Sequence, residues 1–190
     1  SNELGWEFYL RPENNAERVG SLIWKVGEKH GMILTGTPAF RARRIEAGLL
    51  TQAEFDSETT PFEAGLGHFV KMDKENFIGK AALERADKRS RTFGMRVRGG
   101  IADRGRTILI DGDFVGRVCS STWSPYQECG VALVRMDNPC TGPGSEVNVQ
   151  CTDGVIHSAQ ICALPMYDTE KNLVRGRDVE IPTEPKPWKG

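Results

Sequence analysis

Thiols and imidazoles carry the widest chemical repertoire, and in this chain they are Cys119, Cys129, Cys140, Cys151, Cys162, His30, His68 and His157. A zinc site would pair ligands two to four residues apart. These cysteines instead follow one another at intervals of ten or eleven residues, with no C-x-x-C, and the histidines have no thiol or carboxylate at ligand spacing. The spacing predicts neither a metal centre nor a redox pair. A strand plus its turn repeats at about that interval, so the thiols read as small apolar residues of successive strands. Reduced thiols without a metal imply the cytoplasm, or the mitochondrial matrix in a eukaryote. The phosphate-cradling patterns G-x-x-x-x-G-K-[ST] and G-x-G-x-x-G do not occur, nor does the G-x-S-x-G elbow, and Gly65-Leu66-Gly67 is too short to replace them. No Ser/His/Asp or Cys/His set is evident along the chain, although such sets assemble in space rather than in sequence.

The elements that must position any site fall into two halves. Trp6-Glu7-Phe8-Tyr9-Leu10 has the aromatic content of a short strand. Asn15 is a candidate N-cap for a helix whose apolar face is Val19, Leu22, Ile23 and Val26. Lys29-His30-Gly31 supplies that helix with a basic last turn and a glycine stop. Met32-Ile33-Leu34 reads as a second short strand. Thr37-Pro38 opens another helix, with proline in the first turn where its missing N–H costs nothing, and the pattern runs through Phe40, Ile45 and Ala47 to Gly48. A third helix is expected from Ile78 to Ala86.

Asp87-Lys88-Arg89-Ser90-Arg91 is a charged break. Beyond it, residues 92–97, 107–110, 114–120, 130–135, 145–151 and 155–164 are strand-like. Asp111-Gly112 and Asp153-Gly154 join strand pairs with the dipeptide that favours a type I′ turn. Six short strands without a helix predict a small antiparallel barrel or sandwich. The stretch from Arg175 to Gly190, with Pro182, Pro185 and Pro187 among charges, reads as an extended tail. The division predicted is residues 1–88, 89–172 and 173–190, and the class is α+β followed by a small antiparallel β-barrel. Across the 190 residues, 25 Lys+Arg face 26 Asp+Glu for a net charge of −1, which argues against a general nucleic-acid binder. No apolar run approaches the roughly 20 residues that span a bilayer. The start at Ser1-Asn2-Glu3, with no methionine and no leader-like stretch, is the start expected of a piece cut from a longer chain.

Four segments in order carry a resemblance. They are Glu3-Leu4-Gly5-Trp6-Glu7-Phe8-Tyr9; Arg44-Ile45-Glu46-Ala47-Gly48-Leu49; Thr60-Pro61-Phe62-Glu63-Ala64-Gly65-Leu66-Gly67 followed by Phe77-Ile78-Gly79-Lys80-Ala81-Ala82-Leu83; and Gly116-Arg117-Val118-Cys119-Ser120 with Ser124-Pro125. Together they resemble the glycine-cleavage T-protein family, the tetrahydrofolate-dependent aminomethyltransferases and their relatives. The resemblance implies that residues 1–88 are the later part of a folate-binding domain and residues 89–172 the family's C-terminal barrel. Its cofactor is tetrahydrofolate and its partner a small methylated donor. The catalytic aspartate belongs to the N-terminal half of the same chain, so this stretch holds no catalytic residue and is not expected to turn over alone.

By the same resemblance Glu7 takes the position of the pterin-binding glutamate. A carboxylate can accept two parallel N–H bonds from a pterin edge, each charge-assisted bond contributing about 1.5–3 kcal/mol. The alternative is an outward-facing strand glutamate. Arg44 matches a family arginine, either at the folate or paired in a helix with Glu46 or Glu63. A second family arginine falls at Phe40, a departure that Arg41, Arg43 or Arg44 could offset. Trp123 lies in a Ser-Thr-Trp-Ser-Pro turn, facing the folate cavity or simply packing. The Gly-Trp-Glu strand and the Pro165-Met166-Tyr167-Asp168 ending look like the folate-dependent demethylases and the C-terminal parts of dimethylglycine or sarcosine dehydrogenases. Three functions follow: a one-carbon transferase, the folate module of a flavin-linked amine dehydrogenase, or a folate-binding module without turnover.

Overall fold

The computed structural model of the chain describes residues 4–137 and 141–177. Glu3, Cys140 and the prolines of the expected tail, Pro182, Pro185 and Pro187, lie outside the described residues.

Six strands form a closed antiparallel barrel: β1 (Thr92–Val97), β2 (Thr107–Ile110), β3 (Asp113–Ser124), β4 (Cys129–Met136), β5 (Glu146–Gln150) and β6 (Ile156–Cys162), in the order β1-β4-β3-β2-β5-β6 with β6 returning to β1. Alternation decides which side chains fill it. Ala132, Val134 and Met136 of β4 enter the interior with Met95, Val97, Val118, Val149 and Ile161. The intervening Val131 and Leu133 point outward, where they meet Ile45 and Met166. β4 is therefore buried on both faces, which explains its unbroken apolar run Val131-Ala132-Leu133-Val134 in an otherwise alternating sheet.

Turn chemistry sets the register. Asp111 and Gly112 both take positive φ, 51° and 90°, as a type I′ hairpin requires. Asp153-Gly154 does not repeat this: only Gly154 is left-handed, at 80°, and Gly154 N–H closes on the Cys151 carbonyl. The three-residue geometry, a type I turn ending in a left-handed glycine, replaces the expected type I′ turn. The Asp153 carboxylate accepts from the Val155 N–H (2.9 Å), which supports that conformation. β3 is longer than its sequence pattern, because a register shift between Val118 and Ser120 lets it pair with β2 at its start and with β4 to its end.

Ahead of the barrel stand α1 (Ala16–Gly27), α2 (Thr37–Ala47) and α3 (Lys80–Arg85). Asn15 caps α1 by accepting the Arg18 N–H at 2.8 Å, and Gly31 and Gly48 close the first two helical segments in the left-handed conformation. α3 begins two residues later than expected, after Gly79 (φ 90°), so Ile78 stays outside it and exposed. α2 is the helix that packs: Ile45 is fully buried among Val131, Leu133 and Met166, a burial contributing about 1.5–3 kcal/mol.

Two expected strands do not form. Residues 6–10 and 32–34 are irregular and largely exposed. A strand needs an open edge, and the barrel, closed on itself, offers none. α1 likewise buries no residue, and Leu22 and Val26 of its apolar face are exposed. The sequence patterns of this segment are amphipathic, but the partner they pattern for is not among the described residues.

Candidate functional site

The strongest polar geometry lies where α2 meets the barrel. Glu46 is fully buried (0% exposed) in the last turn of α2. Its carboxylate accepts from the Ser124 hydroxyl and from the Arg43 guanidinium. Its carbonyl accepts the Met166 and Tyr167 N–H groups at 2.8 and 3.0 Å. Arg43 lies 4.5 Å from the ring centroid of Tyr126 and 5.1 Å from that of Tyr167, and the two rings stack at 4.9 Å. Arg96 closes the far side, donating to the Met166 carbonyl (2.9 Å) and to Gln127 (2.5 Å). The chain after β6 is thereby stitched to α2 and to the β3–β4 turn.

Arg44 forms a second tie. Its guanidinium donates to Ser120 Oγ (2.8 Å), to the Leu49 carbonyl (3.1 Å) and to Glu54 (3.2 Å). Its carboxylate partner is thus neither Glu46 nor Glu63, the two that the sequence offered, because Glu46 is taken by Arg43 and Glu63 by the barrel. Glu54 is held in turn by the Thr51 N–H (2.6 Å) and hydroxyl (3.0 Å). Glu63 repeats the device: Thr60 N–H donates to it at 3.0 Å while its own N–H returns to the Thr60 hydroxyl at 3.2 Å. Arg135 (3.4 Å) and Arg91 (3.6 Å) then bind the Glu63 carboxylate from the barrel. The Thr60 N–H, the Thr60 hydroxyl and these two guanidiniums hold the carboxyl of Glu63 below the usual glutamate range against a smaller opposing effect of burial. Glu54, Glu63, Ser120 and Ser124 were missed as a set. The signal was present in Thr51-x-x-Glu54 and Thr60-x-x-Glu63, both of which spell the T-x-x-E capping pattern.

Glu7 and Arg44 share no hydrogen bond, ion pair or cavity among the described residues. Glu7 is exposed and accepts the Tyr9 hydroxyl, an interaction that raises the Tyr9 phenol above its ordinary value. Trp123 sits within β3 opposite Gly130 rather than on a turn, partly buried, and lines neither cavity. The turn begins one residue later because Ser124 still pairs with Cys129.

Two cavities flank the α2–barrel junction. One, of about 410 Å³, is mainly apolar, between Leu50, Leu66, Phe69, Phe93 and Leu164. The other, of about 540 Å³, is polar and brings Arg41 and Arg44 of α2 opposite Asp103 and Arg104 of the β1–β2 connection, with Ser120 and Ser121 of β3 between them. The four described thiols are free. Cys119 and Cys151 are buried, and Cys129 and Cys162 pack against the outward cluster of β4. No described helix is long and apolar enough to cross a membrane.

A closed six-stranded antiparallel barrel with a helix clamped to it through a buried carboxylate defines an α+β protein of few helices. Residues 1–74 match the GCVT N-terminal domain and residues 88–168 the glycine cleavage T-protein C-terminal barrel domain. An aminomethyltransferase of Prochlorococcus marinus is 34% identical over 88% of this chain and 45% of its own length, and one of Streptomyces coelicolor is 32% identical over 90% and 48%. A trimethylamine-oxide aldolase of Ruegeria pomeroyi is 32% identical over 92% of this chain but 23% of its own length. In fold, the chain is similar to the crystal structure of the glycine cleavage system aminomethyltransferase T from Bartonella henselae, with a TM-score of 0.69 at 24% identity over 80% of this chain and 44% of that one. The chain belongs to the glycine-cleavage T-protein family. It spans about half the length of the aminomethyltransferases it matches.

Proposed function

We propose that the chain supplies the later part of a tetrahydrofolate-dependent one-carbon transferase, moving an aminomethyl or methyl unit from an N-, S- or O-methyl donor to the folate. The observation that carries this reading is the apolar surface left open ahead of the barrel, on the chain beside Glu7 and again after α1: Trp6 is 92% exposed, Tyr9 86%, Ile33 81% and Leu34 85%. Such a surface fits an enclosing partner, and the N-terminal half that the relatives possess is the partner of the right kind. In that setting residues 6–10 gain the strand neighbour they are patterned for, and Glu7 is enclosed with them.

The donor set fits the pterin. Among the described residues Glu7 has only the Tyr9 hydroxyl as a hydrogen-bond partner, which leaves acceptor capacity for two parallel N–H groups. Tetrahydrofolate, when bound, supplies the nitrogen that receives the one-carbon unit. This chain's task is orientation: Glu7 holds the pterin edge, Arg44 fixes α2 on the barrel, and Trp123 forms part of β3 near the β3–β4 turn. Proximity then supplies much of the rate, with the proton handled by a carboxylate from the N-terminal half.

A second reading takes the chain as the folate module of a larger amine-processing enzyme of the demethylase or amine-dehydrogenase type. The small share of the trimethylamine-oxide aldolase that it matches favours that arrangement. Calorimetric titration of tetrahydrofolate into the full-length protein and its Glu7→Gln variant tests both. Saturable binding weakened tenfold or more in the variant, about 1.4 kcal/mol, supports the folate site. Methyl transfer then separates an enzyme from a binding module, and an upstream dinucleotide-binding glycine motif would mark the flavin-linked arrangement. Lack of tetrahydrofolate binding would overturn the proposal.

A further inference from the structure

We infer that the polar cavity between α2 and the barrel is a binding site for a small polyvalent oxyanion, distinct from any site at Glu7. The charges that face it do not cancel. Arg44 is balanced by Glu54 at 3.2 Å, and Asp103 by Arg106 at 3.0 Å. Arg41 of α2 and Arg104 of the β1–β2 connection have no hydrogen-bond or ion-pair partner among the described residues. Two guanidiniums are left over on residues that line one cleft. Arg41 and Arg44 also stand three residues apart on α2 and line the same side, a like-charge pairing that costs helix stability unless an anion sits between.

The rest of the lining suits the same ligand. Ser121 and Thr152 bring hydroxyls and Gln52 an amide, all able to donate to oxygen. No aromatic ring lines the cavity, so nothing there would stack on a base or a pterin. Its volume of about 540 Å³ lies within the range of small-ligand sites. Guanidinium forks match planar carboxylates and tetrahedral phosphates alike. The ligand class is therefore a di- or tricarboxylate or a phosphate ester carrying two or more negative charges. The position is informative too: the cavity opens between the element that carries Arg44 and the strand that carries Ser120, so an anion there braces the same junction as the Arg44–Ser120 bond.

The test is calorimetry on the intact protein at constant ionic strength, with citrate in one arm and pyrophosphate in the other. Saturable binding at one site is expected in at least one arm, and the arm that binds names the source of the oxyanion. The double variant Arg41→Gln/Arg104→Gln should weaken it tenfold or more. The control Arg18→Gln/Lys25→Gln removes the same charge from the exposed surface of α1 and should leave binding unchanged. All four side chains are exposed, so both variants should keep the parental urea midpoint. No saturable binding in either arm, or equal weakening in both double variants, would overturn the inference, the latter by reducing it to diffuse attraction.

Discussion

The Ser124 hydroxyl donates to the Glu46 carboxylate across the α2–β3 junction, and neither residue is exposed to solvent. This single bond links the helix of the Arg-Ile-Glu-Ala-Gly segment to the Ser-Pro turn of the barrel, 78 residues away in sequence. The two motifs belong together because one is the socket of the other.

Removing the carboxylate should therefore separate the two. Glu46→Ala leaves Arg43, half-buried against Tyr126, without its ion pair to Glu46 and leaves the Ser124 hydroxyl without that acceptor. Breaking a buried charged pair from one side costs about 3–5 kcal/mol. Urea unfolding should record a loss in that range. Glu46→Gln, which keeps an acceptor for Ser124, should lose less. An Ala variant as stable as the parent would show that the clamp is not formed in solution.

Close backbone approach makes a second prediction. A Cβ on Gly130 would lie 2.0 Å from the Gly100 carbonyl oxygen and 3.3 Å from the Ile101 Cα. Those are backbone atoms of the loop that caps one barrel end, so no rotamer change relieves them. Overpacking ordinarily costs about 1–3 kcal/mol, and Gly130→Ala should reach at least the upper end. Gly142→Ala, with nothing near its Cβ, is the control and should be close to neutral.

How far the sequence could be read follows from where each element finds its partner. β1 and β2 were legible to the residue because alternation and the Asp111-Gly112 turn are local signals. β3 was cut short, since a register shift inside a strand leaves no mark in composition. Residues 6–10 have strand chemistry without a strand, because pairing is not a local property. The position of Glu7 came from resemblance alone. Arg44 was singled out, but its partner Glu54 was not: ten residues of intervening chain hide a contact that only the fold closes. The polar cavity was illegible for the same reason, its walls coming from α2, the β1–β2 connection and β3.

Acid should loosen the tie between the 60–63 turn and the barrel through Glu63. Its carboxyl is held below the ordinary glutamate range first by the Thr60 N–H, then by the Thr60 hydroxyl, Arg135 and Arg91. A depressed folded-state value means that the carboxylate contributes stability fully above the unfolded value, about pH 4.3. That contribution is lost as pH falls toward the lower folded value. The urea midpoint of the parent should thus drop between about pH 5 and pH 3 more steeply than that of Glu63→Gln, whose amide does not titrate. Parallel curves for the two proteins would remove Glu63 from the linkage.

Thiol reactivity offers a reading of the barrel itself. Burial pushes the Cys151 and Cys162 thiols up to about 11 each, and raises Cys119 and Cys129 as well. Nearby arginines pull the other way at Cys119, Cys129 and Cys162, but burial is the larger effect at each. Thiolate is the attacking species, so at pH 8 these four groups should react far more slowly with a disulfide reagent than a free cysteine, whose value is near 8.5. A Cys140→Ser background leaves only these four to be counted. In it, the folded protein should release chromophore slowly and reach four equivalents quickly only in denaturing urea. Because Cys151 faces the barrel interior while Cys162 packs outside against α2, their order of reaction under mild urea reports which layer opens first. The helix docking layer, held by Ile45 and the Glu46 clamp, should yield before the closed sheet, so Cys162 should be labelled ahead of Cys151. Peptide mapping of the labelled protein reads that order, and Cys151 reacting first would place the weak point in the barrel.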